Sequence, residues 1–328
     1  MRGLVRAEWL RFRKRRSLQV IVLAVPILVA FFFVAGYASI GSDPPPFDPA
    51  EVRALILAEG WLEGVPPEDA EVIIAEQIEA ERQMYREQVA SLSIARARYA
   101  FPQSLVTVLG SGMFVLFALI LLTATTIGDE FSWATIRTSL LASSHRPRML
   151  FVRLGALAAI AGLIFGLLLL LGTLLPALLG LIGAPLPTTT PVDPVALLVL
   201  LAGEMVIAIA VIAFAALATL VVRSGSLTLV VMLVYVVVET ALLALLLRFE
   251  TFQQNGASAW VLDTFPVRGI ATLTDVASRA AGGLPNYPGE VIVRDLSGAG
   301  LPLVALLAWG SLFAVLAFRR FSRMDIVE

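Results

Sequence analysis

The chain has 328 residues, 59% of them hydrophobic and 15% charged, with a net charge of −1 and no cysteine. The lack of cysteine excludes disulfides and thiolate metal sites. The one lysine, Lys14, lies in no GxxxxGK[ST] pattern, so a phosphate-binding loop of that kind is excluded as well.

Charge is scarce against the quarter or so of residues that soluble domains carry. The apolar residues fall in stretches of about 20, the length that crosses a bilayer as a helix. The fold expected is an all-α polytopic membrane protein with six transmembrane helices. In chain order the first element is 1–16, "MRGLVRAEWLRFRKRR", with seven basic residues and one acid. Val5, Trp9 and Phe12 share a helical face, with Arg2, Arg6 and Arg13 off its centre. This predicts an amphipathic helix lying in the membrane interface, anchored by Trp9, Phe12, Arg13, Lys14, Arg15 and Arg16. A basic run also suits nucleic acid, but directly before a span it reads as a lipid anchor, and no nucleic-acid partner is expected. The first span is 17–40. A signal peptide has the same order of basic and apolar regions, and Gly36–Ala38 loosely imitates a cleavage site. The apolar run exceeds the roughly 7–15 residues of a signal core, so a retained anchor is expected.

Segment 41–103 is the first extracytoplasmic piece. Twelve acids against five arginines lie in 43–98. Proline and acids near residue 67 open a helix, and Ile74, Ile78, Tyr85, Val89 and Leu92 fall near one face of it. A long helix or a helical hairpin follows, either a lid on the spans or a docking surface for an extracytoplasmic partner. The second span is 104–127. It leads into 128–148, within "IGDEFSWATIRTSLLASSHRPRML". Asp129 suits a helix cap. Phe131, Trp133, Ile136, Leu140 and Leu141 then supply an apolar stripe, until Ser143 and Ser144 break it and Pro147 opens the next helix. A helix over 129–142 is predicted. The chain reverses elsewhere with only "RSGS", so this longer piece reads as a peg for a partner protein. Trp133 suits a simple interfacial anchor equally well.

The third span, 149–175, is expected to stop at Pro176. A connection without basic residues (176–193), a fourth span (194–222), a short turn (223–225) and a fifth span (226–248) follow. In 249–299, Val267, Ile270, Leu273 and Val276 make one apolar face on a short helix, which lies in the interface or dips back into the membrane. The sixth span is 300–318 and the tail is 319–328. The head, 128–148, 223–225 and the tail hold the arginines and alternate to one side, which the positive-inside rule makes cytoplasmic. A multi-pass protein of the cell (inner) membrane is expected, with both termini in the cytoplasm.

Glu204 and Glu239 lie within spans four and five, where carboxylates are rare and default to functional candidates. Counted from the 223–225 turn they sit about 28 and 22 Å away, at similar depth toward the outer half. Three readings stand. They are structural carboxyls held by hydrogen bonds, with Thr240 as one donor; or a polar patch in a transport pathway or its outer gate; or proton carriers of a secondary transporter. His145, the single histidine, has no second ligand type beside it, so no metal site is expected. No Ser/His/Asp or HExxH pattern occurs, and the chain is not expected to be an enzyme. A membrane scaffold or sensor, using the outer helical segment, is the reading without transport.

Glu130, Phe131, Thr135, Ile136 and Arg137, then Ser144 and Arg146, then Arg153, together with the "RAEWLRFRKRRS" head and the six-span layout, resemble the type-2 class of ABC-exporter permeases. That family often carries Glu-Phe-x-x-Gly-Thr-hydrophobic-Arg, a Ser-Arg pair and a basic residue entering the third span. Ala134 stands where glycine is common, Arg153 where lysine is usual, and His145 separates Ser144 from Arg146. The resemblance implies that the 129–142 helix is a coupling helix seated in a cytoplasmic ABC ATPase dimer. Glu130, Phe131, Trp133, Thr135, Arg137, Ser144 and Arg146 would make the contact. It also implies a second permease subunit, the same or a related chain, with the second and fifth spans lining a pathway at the interface. No cofactor is expected on this chain; ATP and Mg would be bound by the ATPase.

Overall fold

The computed structural model describes residues 10, 14–58, 65–132, 146–187, 193–246, 262–281 and 297–323. Among them every long element is a helix. In order these are α1 (Arg16–Ala38), α2 (Pro49–Ala58), α3 (Pro67–Ala97), α4 (Gln103–Leu109), α5 (Gly112–Ser132), α6 (Arg146–Leu181), α7 (Pro194–Val222), α8 (Gly225–Leu246), α9 (Pro266–Ala280) and α10 (Gly300–Ser322). A 3₁₀ turn, Ser297–Ala299, precedes α10. Six helical segments are long and apolar enough to cross a membrane: α1, α4 with α5, α6, α7, α8 and α10. The chain is an all-α polytopic membrane protein.

Local chemistry sets the ends of these helices. Asp193 caps α7 by accepting from the Val195 amide at 2.9 Å, with Pro194 in the first turn. Arg223 closes α7 in the left-handed conformation, φ 57°. Ser224 then starts α8, its carbonyl accepting from the Thr228 amide at 3.1 Å. This four-residue reversal makes α7 and α8 antiparallel neighbours, as the short turn predicts.

The bundle has two ends. At one end, here the terminal face, Ile127 of α5, Leu150 of α6, Ala216 and Leu220 of α7, and Ala317 and Phe321 of α10 form one buried cluster. Arg15, just before α1, pairs with Asp129 of α5 across 3.6 Å. At the opposite end, the far face, the Tyr99 ring packs on Phe33 and Tyr37 of α1. Helix α7 is the centre, packed by α5, α6, α8, α9 and α10. Its alanines allow close approach: a β-carbon on Gly310 of α10 would lie 3.1 Å from that of Ala210. Small residues at contacts are the usual device in a membrane, where lipid offers no hydrophobic drive to pack helices.

Helix α5 runs on to Ser132, so Asp129 lies inside it and does not cap a separate 129–142 helix, the rest of which is outside the described residues. Two spans differ from expectation. The second is broken: α4 ends at Leu109 and α5 starts at Gly112. Two glycines, Gly110 and Gly112, flank Ser111 there, and glycine weakens a helix interior. The third runs through Pro176 to Leu181 as one 36-residue helix. A proline is tolerated where neighbouring helices re-satisfy the freed carbonyl.

On the far face α3 is a single 31-residue helix. It is tied to the preceding segment by Arg53–Glu71 and by Phe47, which meets the Tyr85 ring and carries the Arg82 guanidinium over its own. Ile74 is buried, Ile78, Tyr85 and Leu92 are half-buried, and Val89 is exposed. Helices α2 and α3 are held side by side by these contacts.

Candidate functional site

The two intramembrane acids converge on α9. Glu204 is ten residues into α7 and Glu239 seven before the end of α8, about 15 and 10 Å from those helix ends at 1.5 Å per residue. They are 2% and 4% exposed. The Thr274 hydroxyl donates to Glu204 Oε1 at 2.9 Å, and the Val267 amide donates to Glu239 Oε1 at 2.6 Å. The partners are two turns apart on α9, so one short helix is held by one carboxylate from each of two spans.

Both acids also stand at the start of a helix that begins inside the bundle. Val267 is the second residue of α9. Gly112 is the first of α5, and a β-carbon there would lie 2.8 Å from Glu204 Oε2. A helix start leaves backbone N–H groups unpaired and carries partial positive charge. In hydrocarbon no water relieves this; at α9 Glu239 accepts from the Val267 amide, and at α5 Glu204 stands against the first residue. Glu239 Oε2 is buried without a hydrogen-bond partner, and the Tyr235 hydroxyl, one turn away, faces the same carboxylate.

The direction of α9 follows from its contacts. Its leading end is deep: the Trp309 indole, nine residues into α10, donates to the Thr264 carbonyl at 2.9 Å. Leu273 packs with Ile207 of α7 and Leu306 of α10. Its second half leads toward the residues just before α10: a β-carbon on Gly298 would lie 3.5 Å from Val276 Cγ2. Gly269, Leu273, Ala277 and Ala280 are the buried positions, and Asp275 and Arg279 pair at 3.1 Å on the exposed side. Of the expected apolar face, Leu273 is buried and Val267, Ile270 and Val276 are half-buried. The helix is a half-length element of 15 residues whose first turn lies between α8 and α10.

Thr240 is not the donor expected for these acids: it is exposed. One residue along a helix turns the side chain about 100° away from the face of Glu239. The actual partners, Thr274 and the Val267 amide, come from a distant helix. Gly112 and Thr274 escaped the sequence reading; the Gly-Ser-Gly break within an apolar span was the signal for the first.

The second set of candidates lies at the terminal face. Phe131 is half-buried and packs on the Ile127–Leu150–Phe321 cluster. Trp9, Phe12, Arg13, Trp133, Thr135, Arg137 and Ser144 lie outside the described residues, and of Glu130 and Arg146 only the backbone is described. Lys14 is helical and exposed, Arg15 is half-buried, and Arg16 opens α1 and is exposed. The Gly128 and Gly225 backbones touch, so α5 and α8 meet without intervening side chains. Arg153, two turns into α6, is 1% exposed.

An apolar cavity of about 220 Å³ opens between α6, α7 and α10, lined by Leu154, Ala158, Ile209, Ala213 and Gly310 among others. Among the described residues no group of three or more acidic or histidine side chains converges.

The described helices define a multi-pass membrane protein whose two interior acids hold one short helix, α9. Comparisons with protein-family models, curated proteins and solved structures find no match.

Proposed function

We propose that this chain is the permease subunit of an ATP-driven ABC exporter, working as a dimer with separate cytoplasmic ATPase subunits. The observation that carries the reading is the seating of α5 and α6. Helix α5 runs unbroken from Gly112 to Ser132, and α6 begins at Arg146. The two ends that bracket the amphipathic 133–145 segment sit in one buried cluster with the ends of α7 and α10. A push on that segment is therefore delivered to four helices at once. The arginines of the terminal face set it toward the cytoplasm, where an ATPase carrying ATP and Mg would act. Glu130 and Arg137 supply charge-assisted contacts, and Phe131 and Trp133 supply packing area.

The dimer reading is supported by α8. Val230, Val234, Val237 and Leu245 are exposed on it, a broad apolar flank for a second subunit beside the fifth span.

The test is to express the tagged full-length chain in its native host and identify what copurifies. An ATPase with a phosphate-binding loop is expected, and the double substitution Glu130→Ala, Phe131→Ala should release it; because Phe131 also packs on the bundle's own cluster, Glu130→Ala alone, with permease at the parental level, has to weaken the same association. Retention of the ATPase by the double variant refutes the coupling role. Transport that follows a proton gradient without ATP would instead establish the secondary transporter.

A further inference from the structure

We propose that α8 is a connecting rod that carries displacement from its glycine contact with α5 to α9, with Glu239 as the joint. The link is a property of this chain alone; only its use in transport rests on the exporter reading.

The lower end of the rod has no slack. A β-carbon on Gly128 would overlap the amide nitrogen and Cα of Gly225, and one on Gly225 would lie 2.8 Å from the Ala124 carbonyl. Any shift of the last turns of α5 therefore shifts the first turn of α8. The rod itself has no proline and no glycine after Gly225. Its buried positions form a narrow stripe, Thr228, Met232, Glu239 and Leu243. The rest of α8 is largely exposed, so it is not locked on all sides as α7 is.

The upper end is the bond from the Val267 amide to Glu239, fourteen residues or about 21 Å above Gly225. Parting these groups within hydrocarbon would orphan a buried N–H and a buried carboxylate together, so the start of α9 follows α8. The second anchor, Thr274 to Glu204, ties α9 to the central helix α7. One anchor thus sits on the packed core and the other on the loosely packed rod. With that arrangement, motion of α8 tilts α9 about the Thr274 bond.

The test is a double-substitution cycle read by hydrogen–deuterium exchange on the full chain in lipid nanodiscs. Gly225→Ala, which crowds the lower end, should raise exchange of the 267–270 amides severalfold. Glu239→Ala should raise it too and abolish any further response to Gly225→Ala. Glu239→Gln, which keeps an acceptor oxygen at the same reach, should restore that response. If Gly225→Ala does not fold, Met232→Ala loosens the same helix without crowding and takes its place in the cycle. Unchanged exchange in α9, or a response of the same size with and without Glu239, overturns the proposal. Neither outcome bears on whether an ATPase copurifies, so the two readings fail separately.

Discussion

Glu204 and Gly112 face each other where the second span breaks, with Glu204 Oε2 occupying the space a side chain at 112 would need. The carboxylate and the start of α5 therefore specify one another. Gly112→Ala would put a β-carbon 2.8 Å from that oxygen. Overpacking of this kind costs about 1–3 kcal/mol. A lower unfolding midpoint is expected for the detergent-solubilised variant, and in the background of Glu204→Ala, which vacates the space, the same glycine replacement should cost much less. Equal costs in both backgrounds would separate the two residues.

Glu204→Ala and Glu204→Gln should differ. Alanine leaves the half-buried Thr274 hydroxyl without its acceptor, a loss of about 1 kcal/mol. Glutamine keeps an oxygen at that position and should stay closer to the parent. Denaturant titration of the two variants checks this, and a glutamine variant as unstable as alanine would show that the charge at the start of α5, not the Thr274 bond, dominates.

Tyr99, in the connection between α3 and α4, gives a pH dependence. Its ring packs 4.8 Å from that of Phe33 and 5.7 Å from that of Tyr37. Burial pushes its phenol above the ordinary value of 10.0, with the Arg98 charge opposing. The unfolded chain then loses this proton first. Stability from this group is complete below about pH 10 and declines as pH rises through the folded-state value. Tyr99→Phe should flatten that decline. Thermal unfolding of both proteins in an alkaline pH series is the measurement, and parallel curves would exclude Tyr99 as the source.

Gly172 should tolerate little. A β-carbon there would lie 3.1 Å from the Leu105 Cα, and the Ser104 hydroxyl donates to the Gly172 carbonyl at 2.5 Å. Gly172→Leu would push α4 off α6 and break that bond, whereas Gly166→Leu, at a glycine of the same helix with open space around it, should be mild. Recovery of monodisperse protein after extraction compares them; equal recovery would mean that α4 yields without cost.

The six spans were legible because hydrophobic length in a membrane is a local property: a run of apolar residues needs no partner to be recognised. The 223–225 reversal was legible for the same reason, and it placed Glu204 and Glu239 at one depth before any contact was known. What covers them was not legible. The donors come from α9, which is 70 residues beyond Glu204 and 28 beyond Glu239 along the chain, and pairing across such separations leaves no periodic trace. The stop at Pro176 was misjudged because proline's effect depends on neighbouring helices, and α6 continues past it. The seats of Trp133, Thr135, Arg137 and Ser144 lie outside the described residues, so the peg itself is known by its two roots, Ser132 and Arg146.

Helix α6 spans 36 residues, about 54 Å at 1.5 Å per residue, against a hydrocarbon thickness of about 30 Å. From Met149 to Leu181 its side chains are apolar apart from Arg153 and Thr173, and Leu181 and the following Ile182 are 83% and 79% exposed. A stretch this long is accommodated by steep inclination, by bending at Pro176 or by swelling of the lipid around it. Each ångström of excess costs only a fraction of a kcal/mol, so the demand that this one helix's length places on the surrounding lipid is modest.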